Sequence, residues 1–459
     1  MYLLVSSARE LPRKDHIVVV ISLDGFPAYA LDDPRLPIPT LRKLAREGAF
    51  AHSMQPINPT VTWPNHTTLV TGVDASQHQV LVNGLITHNA DGTIAIEPWR
   101  DKDILVHSPT VYDAAYKAGL TTAQVDWVAV YGAKTITWTF PEDPNPKGLI
   151  EGELVAAGLV TQEQLAHFDD SSPAWQDQIR TDAAVEIVKR YKPNLMLFHL
   201  LSLDDTNHEY GPMGDASFEA MAFLDDRVKQ VIDALRSQGL ADRATILIVS
   251  DHGFRKMSHT IHANVQLRHE GFVREVNGKA MWDAWVVPVG GAAMVYVTDP
   301  TRRAELLPKL RSLFVGADGV QAVYSQEAFT KLGLPLPTQS DQAPDLFLAA
   351  KPGYAFADDA EGNIGENSNG GTYGYLNNDS EMNAIFMAWG SGIRHGIQLD
   401  RISNLDVAPT IATLLGIEMK NVAGHPLSKI LTDAQLRHSG AKPSHEHTEL
   451  ASAPTSIPP

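Results

Sequence analysis

Three short stretches carry the residue types that hold divalent cations. Asp24 follows the apolar run IVVVISL, Asp204 and His208 lie in SLDDTNHEYGP, and Asp251 and His252 end ATILIVS. An Asp at the end of a strand is usually a turn former or a helix cap, so each signal alone is weak. Together they bring three carboxylates and two imidazoles to one edge of a sheet. That is a donor set for one or two divalent metals, and mixed histidine and carboxylate ligands favour zinc. A fourth stretch, NPTVTWPNHTTLVTG, spans residues 58–72. Pro64 suits the first position of a helix and Gly72 its end. Thr62 then stands at a helix N-terminus, where free N–H groups and the dipole favour an anion. Beside a metal, its hydroxyl pKa falls and it becomes an alkoxide nucleophile.

The elements that must position these residues read as a doubly wound α/β sheet. His16–Leu23, Asn194–Leu201, Ala244–Val249, Ala292–Val297, Asp345–Ala349 and Ala384–Trp389 are continuous apolar runs. Such runs predict parallel strands buried on both faces. Helical spacing appears in Pro39–Gly48, Phe218–Gly239 and Leu405–Leu415. Strands alternating with helices predict a sheet covered on both sides, with ligands beyond the carboxyl ends of the strands. Residues 254–285 are too polar for core sheet throughout and are expected to contribute to a cap. Residues 440–459 are rich in Pro, Ser, His and Ala and read as a disordered tail.

Composition excludes several classes. Lys and Arg number 37 and Asp and Glu 54, a net charge of −17, which disfavours a nucleic-acid duplex or an anionic membrane as partner. A small phosphorylated substrate remains compatible, because a bound metal inverts the local field. Cysteine is absent, so thiolate metal sites, disulfides and cysteine nucleophiles are excluded, whereas histidine numbers 18. No apolar run reaches the length of a membrane span. The segment MYLLVSSARELPRKD places its apolar patch before its charges, the reverse of a signal peptide. Compartment and oligomeric state are left open. No Walker loop or nucleophile-elbow serine motif is present.

The motifs ISLDGF, TWPNHTTLVTG, LVNG, DDTNHEYGP and VSDHGF resemble, in order and spacing, the alkaline phosphatase superfamily. Within it, the chain is most similar to the nucleotide pyrophosphatase/phosphodiesterase branch, from about residue 16 to NLDVAPTIATLLGI near 415. The resemblance implies a catalytic domain over residues 1–439, with cap insertions. It implies that Thr62 is the nucleophile and that Asp24, Asp251 and His252 hold the metal that activates it. Asp204 and His208 would hold a second metal, and Asn83 would donate to a phosphoryl oxygen. Two in-line displacements through a phosphothreonine follow. Trp63 stands close to where this branch stacks a nucleobase, and Tyr210 is a second aromatic candidate.

One position departs from the pattern. The branch takes a histidine ligand from Gly-Thr-His-Gly-Tyr, and this chain reads Gly371-Thr372-Tyr373-Gly374-Tyr375. A neutral phenol is a poor replacement for imidazole, so Tyr373 is expected to weaken the second metal site. Binding as a phenolate, or substitution by His259 or His262, is the competing expectation. Three functions stay open: a phosphodiesterase or nucleotide pyrophosphatase, a phosphonate hydrolase or phosphomonoesterase on the same scaffold, and a pseudoenzyme. A sulfatase is excluded, because Thr62 cannot become formylglycine and His66 stands in place of the required Arg.

Overall fold

Apolar residues alternate between two cores along each central strand, which is the pattern a sheet covered on both faces requires. In Ile17–Leu23, Val19, Ile21 and Leu23 pack into one core, with the helices Pro39–Glu47, Pro173–Arg190 and Asp215–Ser237. Val18 and Val20 enter the opposite core, with Thr62–Thr71, Val111–Lys117 and Val407–Leu415. The computed structural model describes residues 13–438. The apolar patch at the N-terminus and the 440–459 tail lie outside these residues.

The central sheet has eight strands, in the order Ile397–Ser403, Ala49–Gln55, Ala384–Gly390, Ala244–Val249, Ile17–Leu23, Leu195–Leu200, Thr122–Val125, Trp138–Phe140. All neighbours run parallel except Ala384–Gly390, which is antiparallel to both strands beside it. The architecture is the mostly parallel, doubly wound α/β sheet that the apolar runs predict.

The direction of three strands corrects the sequence reading. Ala384–Gly390 lies inside the main sheet but runs backwards. Ala292–Val297 and Leu346–Ala350 belong to a separate antiparallel sheet of four strands, with Ala284–Pro288 and Val320–Tyr324 at its edges. Burial on both faces produces the same unbroken apolar run whichever way the neighbour points, so the run reports burial and not direction. Residues 254–285 supply Ile261, Ala263, Leu267, Phe272 and Trp282 to the core of that second sheet.

Topology decides where the chemistry gathers. Ile17–Leu23, Leu195–Leu200 and Ala244–Val249 are parallel, so the residues that follow them emerge at one edge. Ala49–Gln55 points the same way and leads through residues 56–61 into the Thr62 helix. The reversed strand brings its beginning to that edge, pairing Pro27 with Ala384, and so delivers Tyr373 from the preceding loop.

Candidate active site

The Thr62 helix begins at Thr62 itself, so Pro64 occupies the third position and not the first. Val61, in extended conformation, precedes it and offers no side-chain cap. The Trp63 N–H instead donates to Asn83 Oδ1 at 3.0 Å. That bond fixes the Asn83 amide and leaves its Nδ2 donors unspent among the described residues. The helix ends at Gly72, whose φ of 70° is the left-handed conformation glycine adopts at lowest cost.

Thr62, Asp24, Asp251 and His252 meet in a buried cluster. His252 Nε2 lies 3.4 Å from Thr62 Oγ1, 3.4 Å from Asp24 Oδ1 and 3.1 Å from Asp251 Oδ2. His252 Nδ1 donates to the Gly253 carbonyl at 3.0 Å, which fixes the tautomer and frees Nε2 as a lone-pair donor. Asp24 Oδ1, Asp251 Oδ2 and Asp204 Oδ1 are buried without a hydrogen-bond partner. An unpaired carboxylate oxygen is costly in an apolar interior, and three of them beside one free imidazole nitrogen fit a cation. Asp24, Asp251 and His252 form a three-donor group for such an ion. Gly25, with φ of +65°, allows the approach: a Cβ there would meet Asp204 Oδ1 at 3.1 Å.

Burial and mutual repulsion with Asp251 raise the Asp24 carboxyl to about 6. Asp204 is raised well above its usual range by burial and by Asp24 and Asp251. Asp251 is pushed up by burial but pulled to a net decrease by His252, His66, His199 and the Gly25 N–H.

The second donor pair is smaller. His208 Nε2 is 3.4 Å from Asp204 Oδ2, and its Nδ1 donates to the Gly371 carbonyl at 3.1 Å. Burial holds the ring neutral, with its pKa at about 4. Neither residue belongs to a three-donor group among the described residues. The remaining place is filled by the Tyr373 ring, 4.2 Å from the His252 ring centroid and 5.1 Å from that of His208. Burial, Asp204, Asp24 and Asp251 all raise the phenol pKa, which opposes the phenolate. His259 and His262 do not reach this place. His259 stacks on Tyr354 at 4.6 Å, and His262 pairs with Asp359 at 2.9 Å and with Glu366 at 3.7 Å.

The sequence reading missed a buried layer behind the ligands. His199 Nε2 donates to Asp24 Oδ2 at 2.8 Å and Nδ1 to the Asp126 carbonyl at 3.0 Å. Both partners are acceptors, so the ring carries both protons. Burial works against that charge, but the bonds to Asp126 and Asp24 outweigh it and raise the pKa well above the ordinary value. Arg180 Nε lies 3.1 Å from Asp126 Oδ2, and its guanidinium bonds Asp177 at 3.1 Å. Asp177 in turn accepts from the N–H groups of Leu201 and Ser202, at the start of the helix that bears Asp204 and His208. His66 donates to the Thr62 carbonyl and meets Ser22 Oγ, each at 2.9 Å, and burial lowers its pKa to about 3. The signal for His199 was a lone imidazole inside the apolar run LMLFHL. Asn65 is fully buried, and its amide donates to the carbonyls of Pro59 and Val61.

A cavity of about 250 Å³ is lined by Trp63, the residue after Thr62, and by Trp127, Trp99, Tyr131, Gln124 and Glu142 among others. Trp63 and Trp127 are buried, whereas Trp99 and Tyr131 are about half exposed. Burial and Asp126 push the Glu142 carboxyl up to about 7. Tyr210, 61% exposed at the end of its helix, is not part of this lining.

A doubly wound sheet with a buried acid–imidazole cluster at its carboxyl edge defines a hydrolase of the alkaline-phosphatase type. Within that class the chain belongs to the type I phosphodiesterase/nucleotide pyrophosphatase family, whose model matches residues 18–376. It is 24% identical over 422 residues to rat ectonucleotide pyrophosphatase/phosphodiesterase family member 7, covering 90% of this chain and 86% of that protein. Human family member 1 is 23% identical over 87% of this chain, but only 40% of its own length is matched. The solved structure of murine ectonucleotide pyrophosphatase/phosphodiesterase 5, an inactive threonine-to-alanine variant in complex with AMP, superposes with a TM-score of 0.71 at 18% identity. That match covers 91% of this chain and 100% of the murine one. The protein is thus a metal-binding nucleotide pyrophosphatase/phosphodiesterase. No helix among the described residues is long and apolar enough to cross a membrane.

Proposed function

We propose that the chain is a zinc-dependent hydrolase of nucleotide phosphodiester or pyrophosphate bonds that works through Thr62. The observation that carries this reading is the meeting of unpaired carboxylate oxygens and His252 Nε2 at the Thr62 hydroxyl. Asp24, Asp251 and His252, with Thr62, would hold the cation. When bound, it lowers the pKa of the threonine hydroxyl and offsets phosphate charge. Thr62 Oγ1 attacks phosphorus in line and expels the leaving oxygen, and water then cleaves the phosphothreonine. The Asn83 Nδ2 group, held by the Trp63 N–H, donates to a non-bridging oxygen. The aromatic cavity takes the nucleoside, stacked against Trp63. That the murine neighbour with AMP is an inactive threonine-to-alanine variant supports a threonine at the centre of the chemistry.

The test is hydrolysis of nucleotide p-nitrophenyl phosphodiesters by the zinc-loaded protein and its variants. Thr62→Ala is expected to retain fold and most of its zinc while losing at least about a thousandfold in turnover. Asp251→Asn should lose zinc and activity together. Near-parental turnover by Thr62→Ala would remove Thr62 from the mechanism.

A further inference from the structure

The helix that bears Asp204 and His208, Ser202–Tyr210, does not cap itself: Leu201 stands before it and supplies no side-chain cap. The cap comes from another helix. Asp177, in Pro173–Arg190, accepts from the Leu201 N–H at 3.1 Å and from the Ser202 N–H at 2.8 Å. A carboxylate there satisfies free N–H groups and meets the positive end of the helix dipole. Asp177 is wholly buried, and Arg180 holds it, with Nη1 donating to Asp177 Oδ1 at 3.1 Å.

The other arm of the same guanidinium, Nε, lies 3.1 Å from Asp126 Oδ2. Asp126 follows the strand Thr122–Val125 with a φ of 57°. That left-handed conformation is costly for a residue other than glycine and persists where the surroundings impose it. The Asp126 carbonyl accepts from His199 Nδ1 at 3.0 Å, and His199 Nε2 donates to Asp24 Oδ2 at 2.8 Å. One buried guanidinium, 2% exposed, thus stands behind two lines of contact. One line ends at Asp24 and the other at the helix of Asp204. These two carboxylates flank the same nitrogen: His252 Nε2 is 3.4 Å from Asp24 Oδ1 and 4.0 Å from Asp204 Oδ1. Both oxygens are buried without a hydrogen-bond partner.

We propose that Arg180 is a positioning residue: its two-armed guanidinium sets the distance between the Asp24 and Asp204 carboxylates, and through it the affinity for the cation held there. The proposal rests on the cation reading given above. Among the described residues Arg180 pairs with Asp126 and Asp177 and with no candidate ligand, so its part is geometric. An arginine presents its donors in a rigid planar fork, whereas a lysine brings the same charge on one flexible atom. A lysine can neutralise the neighbouring acids but cannot hold both lines at once.

The experiment compares the parent with Arg180→Lys and Asp177→Asn, and with Val228→Ala as a control in the adjoining core. Each protein is freed of metal, and its urea transition establishes that it is folded. Zinc affinity is measured by competition with a chromogenic chelator, and the visible absorption of the cobalt(II) form reports the ligand geometry. Arg180→Lys is expected to bind zinc about 10- to 100-fold more weakly, the scale of losing a partner behind the ligands, and to give an altered cobalt spectrum. Asp177→Asn should weaken zinc in the same sense. Val228→Ala should lower the urea midpoint and leave zinc affinity and cobalt spectrum as in the parent. Parental affinity and spectrum in Arg180→Lys would overturn the proposal, since charge alone would then suffice. An equal loss of affinity in Val228→Ala would overturn it too, because the effect would be general destabilisation. Should Arg180→Lys fail to fold, Asp177→Asn decides, and parental affinity there overturns the proposal. A parent that binds no zinc strikes down the cation reading itself, a result distinct from a binding parent matched by Arg180→Lys.

Discussion

His199 donates its Nε2 proton to Asp24 across 2.8 Å, from the strand beside the one that Asp24 ends. The ring also lies 3.3 Å from the Asp126 carboxylate, so one buried cation stands between two buried anions. In the metal-free protein this imidazolium is the positive charge that offsets Asp24 from behind. Removing one partner of such a group typically costs about 3–5 kcal/mol. His199→Leu should therefore destabilise the zinc-free protein on that scale. It should destabilise the zinc-loaded protein less, because the ion supplies the missing charge. Urea unfolding with and without zinc measures both. Equal losses in the two states would show that His199 acts through packing and not through charge.

The aromatic cavity makes a prediction about binding. Stacking a base on an aromatic ring is worth about 1–3 kcal/mol. Trp63→Ala should raise KM for the p-nitrophenyl ester of a nucleoside monophosphate by about tenfold or more. It should change KM far less for bis-p-nitrophenyl phosphate. If both substrates respond alike, Trp63 shapes the helix start and does not read the nucleoside.

Two buried histidines far from the candidate ligands set an acid limit on stability. Burial lowers His16 to about 4 and His78 to about 3. His78 shows why: its Nδ1 accepts from the Val80 N–H at 3.1 Å, leaving the Nε2 proton for Thr68 Oγ1 at 3.1 Å. A second proton would break the Val80 bond and bury a charge. Free histidine titrates near about 6.5, so between that pH and about 4 the unfolded chain binds more protons than the folded one. Stability is complete above about pH 6.5 and is lost as pH falls through this window. Each residue contributes up to about 1.4 kcal/mol per pH unit. Urea midpoints of the zinc-free protein at pH 7, 6 and 5 should fall along this slope, and more shallowly in His16→Gln. An unchanged slope in that variant would place the acid sensitivity elsewhere.

Much of the site was readable because its residues sit where sequence patterns change abruptly. Asp24 and Asp251 each close an apolar run, and the run itself announces a buried strand. Thr62 precedes a proline and begins a stretch ending in glycine, which marks a helix with its N-terminus at the chemistry. Tyr373 was visible as a departure within an otherwise intact motif. These signals are local: the pattern, the stop and the odd residue all lie within a few positions of one another.

What lay beyond the sequence was non-local. Whether Ala292–Val297 joins the main sheet, and which way Ala384–Gly390 runs, depends on partners far along the chain. Burial leaves the same apolar imprint in either arrangement. His199 looked like one polar residue in a strand, and Asp126 and Arg180 like ordinary loop and helix charges, until the fold placed them within about 3 Å of one another. The cavity draws Trp63, Trp99, Trp127 and Glu142 from separated segments, so no spacing rule connects them. The sequence alone determined which groups could hold a cation and which hydroxyl could attack. Only the tertiary structure decided that His259 and His262 stay away from Asp204 and His208 and that the Tyr373 ring lies beside His208 instead, because side chains compete for volume in space and not along the chain.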